Sequence, residues 1–430
     1  VIGFGAVDDV AEVWLNDIRV GGHEGGYLPF EFDVTDAVRA GANTLTVRVA
    51  DPVDRWPEIP HGKQSWYGPL SGLWQSVWIE RRAATHLQHV KVTAHLADGV
   101  VDVALTLNRP LAAAQTLVVE VRDPDGVVSA AAEGVDATIR LRVPSPRAWD
   151  VDAPNLYTLR AEIVEGQGES RRSRDAQVVS FGFRTIETRD GRLWLNGRPL
   201  YLRAALDQDY YPGLISTPPS PAYLEDQFRK AKAMGLNCLR IHIKIGDPRY
   251  YEAADRVGLL IWTELPNWSL LTDLTRQRAR TTLRGMVERD WHHPSIIIWT
   301  IINESWGVDL TNPEHRAWLA ETYDELKALD PHRLVVDNSA CWGNFHVVSD
   351  LEDFHNYYAI PDHHAEWRDW VASFASRGRW TYAHPYTSII DWREYNSVPW
   401  NWSGLELAPE VRRRGDEPLI VSEFGNWGLP

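Results

Sequence analysis

The sequence predicts a three-domain protein in which two all-β units precede a (β/α)8 barrel that lacks its eighth strand. A chain of 430 residues exceeds the size of one ordinary domain. Short segments that alternate apolar and polar residues fill the first 181 positions. After them, strands that are apolar on both faces alternate with amphipathic helices, which is typical of a parallel sheet covered by helices.

The first unit, residues 1–82, is predicted to consist of short strands. "AEVWLND", "YLPFEFDVT" and "NTLTVRVADP" follow a period of two, "GGHEGG" supplies glycine turns, and "SGLWQSVWIE" supplies the last strand. No earlier segment is present to pair with the first strand. We therefore expect this unit to be incomplete at its N-terminal side.

The second unit, residues 83–181, is predicted to be a small β-sandwich. Its apolar segments, among them "LQHVKVTAHL", "VVDVALTL" and "QTLVVEVRDPDG", recur at the spacing of such sandwiches. Asp123-Pro124-Asp125-Gly126 is a hairpin turn, because proline presets φ and glycine accepts a positive φ. No group of titratable residues stands out, so a spacer role is expected.

The third unit, residues 182–430, is predicted to carry seven barrel strands. An open doubly wound sheet is the alternative, but it would need a glycine-rich phosphate loop after its first strand, and "AALDQDYYPG" is not one. Seven strands and no eighth predict an incomplete barrel. The predicted strands are "PLYLRAAL", "NCLRIHI", "LLIWTEL", "SIIIWTII", "RLVVDN", "EDFHNYY" and "PLIVSEF".

Composition limits the partners. Lys and Arg total 44 against 59 Asp and Glu, and the net charge of −15 disfavours nucleic acid and anionic membranes. No run of 18 apolar residues predicts a membrane span. Two cysteines, Cys238 and Cys341, exclude a disulfide framework and fit a reducing compartment, although localisation cannot be inferred. We expect the protein to use no metal and no cofactor. Whether it forms a homo-oligomer stays an open alternative.

Polar residues gather where the predicted barrel strands end, which is where barrels of this kind place their active sites. The rest of each strand is apolar. Polar groups with purely structural roles would be scattered along the strands, so their concentration at one rim predicts a functional site. The candidates in chain order are Asp207, Arg240, His242, Glu264, Asn303, Glu304, Trp306, His355, Tyr357 and Glu423.

Two carboxylates, Glu304 and Glu423, end apolar strands most abruptly. Two carboxylates facing each other across a pocket are what glycoside hydrolysis requires. Asn303 could hold a sugar hydroxyl, and tryptophans such as Trp306 could stack on sugar faces. A structural role for Glu423 alone stays open. For Arg240, His242 and His355, structural hydrogen bonding explains their positions as well as substrate contact does.

The sequence resembles glycoside hydrolase family two, which contains β-galactosidases, β-glucuronidases and β-mannosidases. The resemblance is carried by "FGFRTIETRDGRLWLNGRPLYLRA", "RDWHHPSIIIWTIINES" and "PLIVSEFG", and by "VWLNDIRVGGHEGGYLPFEFDVTDAV" upstream. It implies a sugar-binding jelly roll, an immunoglobulin-like sandwich and a TIM-barrel catalytic domain. It further implies that Glu304 is the acid/base and Glu423 the nucleophile of a retaining exo-β-glycosidase. Asn303 would bind the sugar 2-hydroxyl, and Tyr357 would donate a hydrogen bond to the nucleophile.

The sequence departs from the family pattern at two strand ends. Asp207 stands in a stretch where galactosidases and glucuronidases usually show Asn-Arg/Lys-His, and Arg240-Ile241-His242 replaces Arg-Thr-Ser-His. We therefore expect Asp207 and His242 to line a differently specified sugar subsite, so the sugar is not named by analogy. The expected substrate is an oligosaccharide or β-glycoside, and the chain is expected to be an internal fragment of a longer enzyme. A non-catalytic carbohydrate-binding relative and an inactive fragment are the alternatives.

Residues 377–415 form a long connection without clear periodicity that carries Trp380, Trp392, Trp400 and Trp402. Such connections inside compact domains are usually functional or disordered. We predict that this one folds over the strand ends and that at least one of these tryptophans lines the pocket. The alternative is that all four pack against the outer helices.

Overall fold

A computed structural model describes residues 1–51, 57–64, 68–341, 344–357, 363–376, 382 and 408–425. The four tryptophans of the 377–415 connection lie outside the described residues. Among the helices that are described, none has the length and apolar character needed to cross a membrane.

The first domain consists of antiparallel β-sheets. β3 is paired on both sides, and its alternate residues Ala11, Val13 and Leu15 are buried against Ile2 and Phe4. The sheet orders are β5-β1-β8, β4-β3-β6 and β2-β7. The strands are β1 Ile2–Phe4, β2 Val7–Asp8, β3 Val10–Leu15, β4 Ile18–Glu24, β5 Phe30–Phe32, β6 Leu45–Ala50, β7 Gly72–Leu73 and β8 Val77–Ile79.

The second domain is a sandwich of two antiparallel sheets. Their order is β13-β10-β9 and β12-β11-β14-β15. Val103 of one sheet and Val119, Leu159 and Ile163 of the other belong to one buried core. The strands are β9 Leu87–His95, β10 Val100–Leu107, β11 Gln115–Arg122, β12 Val128–Gly134, β13 Thr138–Arg142, β14 Tyr157–Glu165 and β15 Arg172–Phe181, with a 3-10 turn at Gly168–Ser170.

A three-stranded antiparallel sheet precedes the barrel: β16 Ile186–Arg189, β17 Arg192–Leu195 and β18 Arg198–Leu200. Its buried Leu193 and Leu195 join a cluster with Cys238 and Ile297 of the barrel strands. The predicted strand "PLYLRAAL" is therefore wrong in its bounds. Its first part pairs back onto β17 as β18, and the first barrel strand begins only at Ala204.

Within the described residues, the third domain has seven parallel barrel strands in chain order. β19 to β23 form one sheet, β24 pairs with β25, and an isolated parallel bridge between Ala340 and Phe354 joins the two groups. All eight residues of β22 are buried, which explains its unbroken apolar character. The strands are β19 Ala204–Asp207, β20 Cys238–Ile241, β21 Leu260–Glu264, β22 Ile296–Asn303, β23 Leu334–Ser339, β24 Glu352–His355 and β25 Leu419–Glu423.

Local sequence signals start the helices between these strands. Ser220 caps the first helix by accepting a hydrogen bond from the Tyr223 N–H, and Pro221 occupies its first turn. Asp247 and Asn312 cap two later helices in the same way, each followed by proline. The helices are α1 Pro221–Ala233, α2 Pro248–Val257, α3 Asp273–Arg289, α4 Pro313–Leu329 and α5 His364–Ala375.

Candidate active site

The end of β22 delivers Glu304 by a sharp change of backbone direction. Glu304 and Ser305 adopt φ values of 49° and 53°, a left-handed conformation that residues with a Cβ rarely adopt. The neighbouring strand holds this turn, because the Glu304 N–H donates to the Ser339 carbonyl and the Ser305 N–H to Asn338 Oδ1, both at 2.9 Å. The backbone that carries the Glu304 carboxylate is thus fixed at the end of the apolar strand by two hydrogen bonds to the neighbouring strand.

Glu423 ends β25 and is buried in the barrel. The Tyr357 hydroxyl donates a hydrogen bond to its Oε2, and Arg240 Nη1 lies 3.1 Å from its Oε1. The Asn356 N–H donates to the Glu423 carbonyl at 2.9 Å, which fixes the backbone from β24. The carboxylate is therefore held by Tyr357, which follows the paired strand β24, and by Arg240 of β20.

His355 lies between the two glutamates. Its Nδ1 is 2.7 Å from Glu304 Oε1, and its Nε2 is 3.3 Å from Glu423 Oε1 and 2.9 Å from Ser339 Oγ. Burial lowers the pKa of His355, but the charges of Glu423 and Glu304 outweigh burial and raise the pKa above its ordinary value. The two carboxylates therefore favour the protonated form of the imidazole that lies between them.

Arg240 connects the remaining groups. Its guanidinium, which is fully buried, donates to Glu264 and to Asn303 Oδ1, the latter at 2.8 Å. Because Asn303 uses its carbonyl oxygen for Arg240, its Nδ2 is the group that remains to donate to a ligand. The guanidinium also stacks over the Trp262 ring at 4.9 Å.

The buried charges shift the pKa of Glu423 in the opposite direction from the pKa of Tyr357 and of Glu264. Burial would raise the pKa of Glu423, but the neighbouring imidazoles of His355 and His242 and the guanidinium of Arg240 outweigh burial and lower the pKa to about 2. Burial and the charge of Glu423 raise the pKa of Tyr357, so its hydroxyl stays a donor. Burial also raises the pKa of Glu264 despite its bonds to Arg240 and the Ile243 N–H.

One residue of this site, Lys63, was missed by the sequence analysis. It comes from the first domain, and its Nζ lies 2.8 Å from Nε2 of His242. Gly62 beside it has a φ of 68°, and a Cβ there would meet the Ile243 carbonyl oxygen at 2.5 Å. The glycine of "HGKQS" is the only local signal, and it marks close packing without naming the partner.

Within the described residues, two of the ten candidates make no side-chain hydrogen bond or ion pair with this cluster. The carboxylate of Asp207 accepts hydrogen bonds from Gln227 of α1 and Tyr250 of α2, at 3.1 and 2.8 Å. Trp306 is half-buried, and among the described residues its indole makes no hydrogen bond to the cluster, although its backbone N–H donates to the Asn303 carbonyl. The other eight converge: Arg240, His242, Glu264, Asn303, Glu304, His355, Tyr357 and Glu423.

Within the described residues, Glu304, His355 and Glu423 are a group whose side chains could present three ligand atoms within 4.8 Å of one another. We assign no metal to them. The surrounding carboxylates raise the pKa of His355, which favours its protonated form over a metal-binding one, and Glu423 is already bonded by Arg240 and Tyr357.

A parallel barrel with two glutamates at its carboxyl rim, preceded by two β-domains, has the architecture of multidomain glycoside hydrolases. Three protein-family models together match nearly the whole chain. They are described as the sugar binding domain of glycosyl hydrolases family 2 at residues 1–81, glycosyl hydrolases family 2 at 85–184, and the TIM barrel domain of the same family at 186–426. The chain belongs to glycosyl hydrolases family 2, as its sequence motifs predicted.

Curated relatives carry two different activities in their names. A putative beta-glucuronidase of Formosa agariphila is 30% identical over 77% of this chain and 41% of the relative. A beta-galactosidase of Thermoanaerobacter pseudethanolicus is 29% identical over 84% of this chain and 48% of the relative. The chain therefore spans less than half the length of these relatives.

Solved structures share the fold. A β-glucuronidase from Ruminococcus gnavus in complex with D-glucuronic acid superposes with a TM-score of 0.75, at 22% identity, over 88% of this chain and 68% of that one. An FMN-binding β-glucuronidase from Facaelibacterium prausnitzii gives 0.72, at 23% identity, over 86% and 59%. With the family models, these structures confirm the predicted fold class of jelly roll, immunoglobulin-like sandwich and TIM barrel.

Proposed function

We propose that this protein is a retaining exo-β-glycosidase that hydrolyses terminal β-linked sugars of oligosaccharides or β-glycosides. The observation that carries the proposal is the close approach of two glutamates. One carboxylate oxygen of Glu304 and one of Glu423 lie within 4.8 Å of each other. Retaining enzymes place the two carboxyl groups about 5–5.5 Å apart, whereas inverting enzymes need roughly 6.5–9.5 Å to admit a water between them.

In the first step Glu423 attacks the anomeric carbon, and the bond to the leaving oxygen breaks. A pKa of about 2 keeps Glu423 charged, and Arg240 and Tyr357 hold its oxygens in place. The leaving oxygen takes a proton from Glu304. Glu304 and His355 are joined at 2.7 Å, so a proton shared by this pair is at hand where the leaving group departs.

In the second step the covalent glycosyl-enzyme is hydrolysed. Glu304, now ionised, takes a proton from a water molecule as the water oxygen attacks the anomeric carbon, and Glu423 leaves as a carboxylate. The proton gained by Glu304 is the one needed for the next turnover. Asn303, fixed through its Oδ1 by Arg240, offers its Nδ2 to the sugar hydroxyl beside the anomeric carbon.

The relatives suggest galactose or glucuronic acid as the sugar. A panel of aryl β-glycosides, tested with the full-length protein, is expected to show one preferred sugar. Proton NMR during turnover should show the β-anomer released first, and a 2-deoxy-2-fluoro glycoside should label Glu423. Release of the α-anomer would contradict retention. Binding of sugars with no turnover of any glycoside would favour the non-catalytic relative instead.

A further inference from the structure

The first domain contributes a buried lysine to the centre of the barrel. The ring Nε2 of His242 lies 2.8 Å from Nζ of Lys63, although the two residues are 179 positions apart in sequence. Lys63 is only 9% exposed, and the acidic groups that interact with it electrostatically include Glu423, Glu304 and Glu264. A lysine so placed is part of the site and not of the surface.

The loop that carries Lys63 is fixed on both of its sides. The Gly62 N–H donates to the Asn267 carbonyl of the barrel at 2.9 Å. Gln64 donates from Nε2 to the buried Asp8 carboxylate at 2.7 Å and accepts at Oε1 from the Leu70 N–H at 2.8 Å. The fold therefore sets the position of Lys63 from both the barrel and the first domain.

The contact with Lys63 decides where His242 carries its proton. An ammonium group has only hydrogens to offer, so Nε2 of His242 must accept and cannot itself be protonated. The single ring proton then lies on Nδ1. This nitrogen is buried, has no hydrogen bond to the described residues, and is 3.6 Å from Glu423 Oε1 and 3.7 Å from Glu264 Oε2.

The groups that face His242 agree with a neutral ring. Lys63, Arg240 and His355 are its cationic neighbours, and Glu423 and Glu264 are its anionic ones. Burial is the largest influence and lowers the pKa of His242 well below its ordinary value. A neutral ring with Nδ1–H turns the positive end of the N–H dipole toward the two glutamates.

We propose that Lys63 is a positioning residue of the catalytic site, which fixes His242 in its Nδ1–H tautomer so that this N–H faces Glu423. The first domain thus completes the environment of the nucleophile in the third. This inference rests on the proposed function of Glu423. Without Lys63 the ring can move its proton to Nε2, and a nitrogen lone pair would then face a carboxylate, which favours protonation of Glu423.

Lys63→Met, which keeps the length of the side chain but no charge or donor, tests the proposal in the full-length protein. We expect kcat/KM for an activated aryl glycoside to fall by about 10- to 100-fold, the range for removing a residue that orients a reacting group's partner. The acidic limb of the pH profile should move to higher pH, and Lys63→Arg should restore most of both. Lys232→Met is the matched control, since Lys232 also bonds across a domain boundary, to the Val151 carbonyl, away from the glutamates.

NMR of protein labelled with ¹⁵N at histidine gives a readout independent of turnover, with His242→Gln identifying the His242 signals. The wild-type protein should show His242 protonated at Nδ1 alone, and Lys63→Met should add the Nε2–H form. A wild-type His242 protonated at Nε2 overturns the proposal, even if Lys63→Met fails to fold. So does a Lys63→Met protein with the wild-type acidic limb and tautomer, whatever its rate. If the wild-type protein hydrolyses no glycoside, the proposed function fails while the NMR result still decides the role of Lys63.

Discussion

Both ends of the barrel bury an arginine, and the two are held in opposite ways. At the amino end, Arg333 donates to the carbonyls of Trp291, His293 and Ile296 at 2.8–2.9 Å and to the Asp330 carboxylate at 2.8 Å. At the carboxyl end, Arg240 faces two glutamates and an amide. Three of the four partners of Arg333 are neutral carbonyls, which cannot change charge, so we expect the contacts at the amino end to act on stability. The carboxyl end concentrates groups that can exchange protons or attack.

The difference gives opposite expectations for substitutions at the two ends. At the amino end, a lost contact should lower the free energy of unfolding and leave the rate of the folded protein unchanged. At the carboxyl end, a lost contact should change the rate far more than the stability.

The largest effect is expected for Glu423→Gln, which keeps the shape of the side chain and removes the proposed nucleophile. Turnover of aryl β-glycosides should fall by at least about 10⁴-fold, the scale seen when a nucleophile is removed. Glu352→Gln is the control, because Glu352 is also buried and paired with an arginine, Arg413, but at the amino end of the adjacent strand β24. Activity of Glu423→Gln within tenfold of the wild-type value would show that another residue is the nucleophile.

Glu304→Ala should have the next largest effect, and the effect should depend on the leaving group. Glycosides with poor leaving groups need a proton from the acid, a role proposed for Glu304 in contact with His355, so their kcat/KM should fall by about 10²- to 10⁴-fold. Activated aryl glycosides should lose much less in the first step. Azide should restore turnover by replacing the water and give a glycosyl azide of retained configuration. Equal losses for good and poor leaving groups, with no glycosyl azide, would remove Glu304 from the role of acid/base.

Arg333→Met tests the amino end. The substitution leaves the fully buried Asp330 without its cation, and removal of one member of a buried ion pair costs about 3–5 kcal/mol. Urea denaturation should show this loss, whereas kcat measured well below the unfolding transition should stay within about twofold of the wild-type value. A large fall in kcat with unchanged stability would contradict the division between the two ends.

A smaller effect is expected in the pH dependence of stability. The pKa of Glu423 in the folded protein, about 2, lies below the ordinary glutamate value of about 4.3, so its ionisation stabilises the fold. This contribution is complete above pH 4.3 and is lost as the pH falls toward 2. The gap in unfolding free energy between the wild-type protein and Glu423→Gln should therefore narrow from pH 6 to pH 3, by on the order of 1 to 3 kcal/mol. A gap that is constant over this range would mean that the surrounding cations do not stabilise the carboxylate.

The sequence could predict residues whose position follows from the strand that carries them. Glu304 and Glu423 are examples, because an apolar strand that ends in a carboxylate places it at the barrel rim wherever the helices lie. Lys63 could not be predicted, since its approach to His242 depends on how two domains pack, 179 residues apart. The bounds of the first barrel strand were wrong because its first two residues, Pro199 and Leu200, pair antiparallel with β17 instead.

Asp207 shows why the end of a strand does not by itself tell where a side chain points. It ends barrel strand β19, as expected, but side chains along a strand alternate between two faces, and in a strand covered on both faces the sequence pattern does not tell which residue faces the pocket. In the structure the Asp207 carboxylate accepts hydrogen bonds from Gln227, Tyr250 and the Asp209 N–H, on the helix side. Its role in sugar binding stays a prediction. We expect Asp207→Asn to keep kcat/KM within about tenfold and to cost about 1 kcal/mol of stability, the typical contribution of one such hydrogen bond. His242→Asn, at the end of the next strand and inside the cluster, is the paired comparison and should reduce kcat/KM more. If Asp207→Asn instead raises KM steeply for one sugar and leaves the others unaffected, Asp207 belongs to the sugar subsite, and the hydrogen bonds to α1 and α2 are what hold it there.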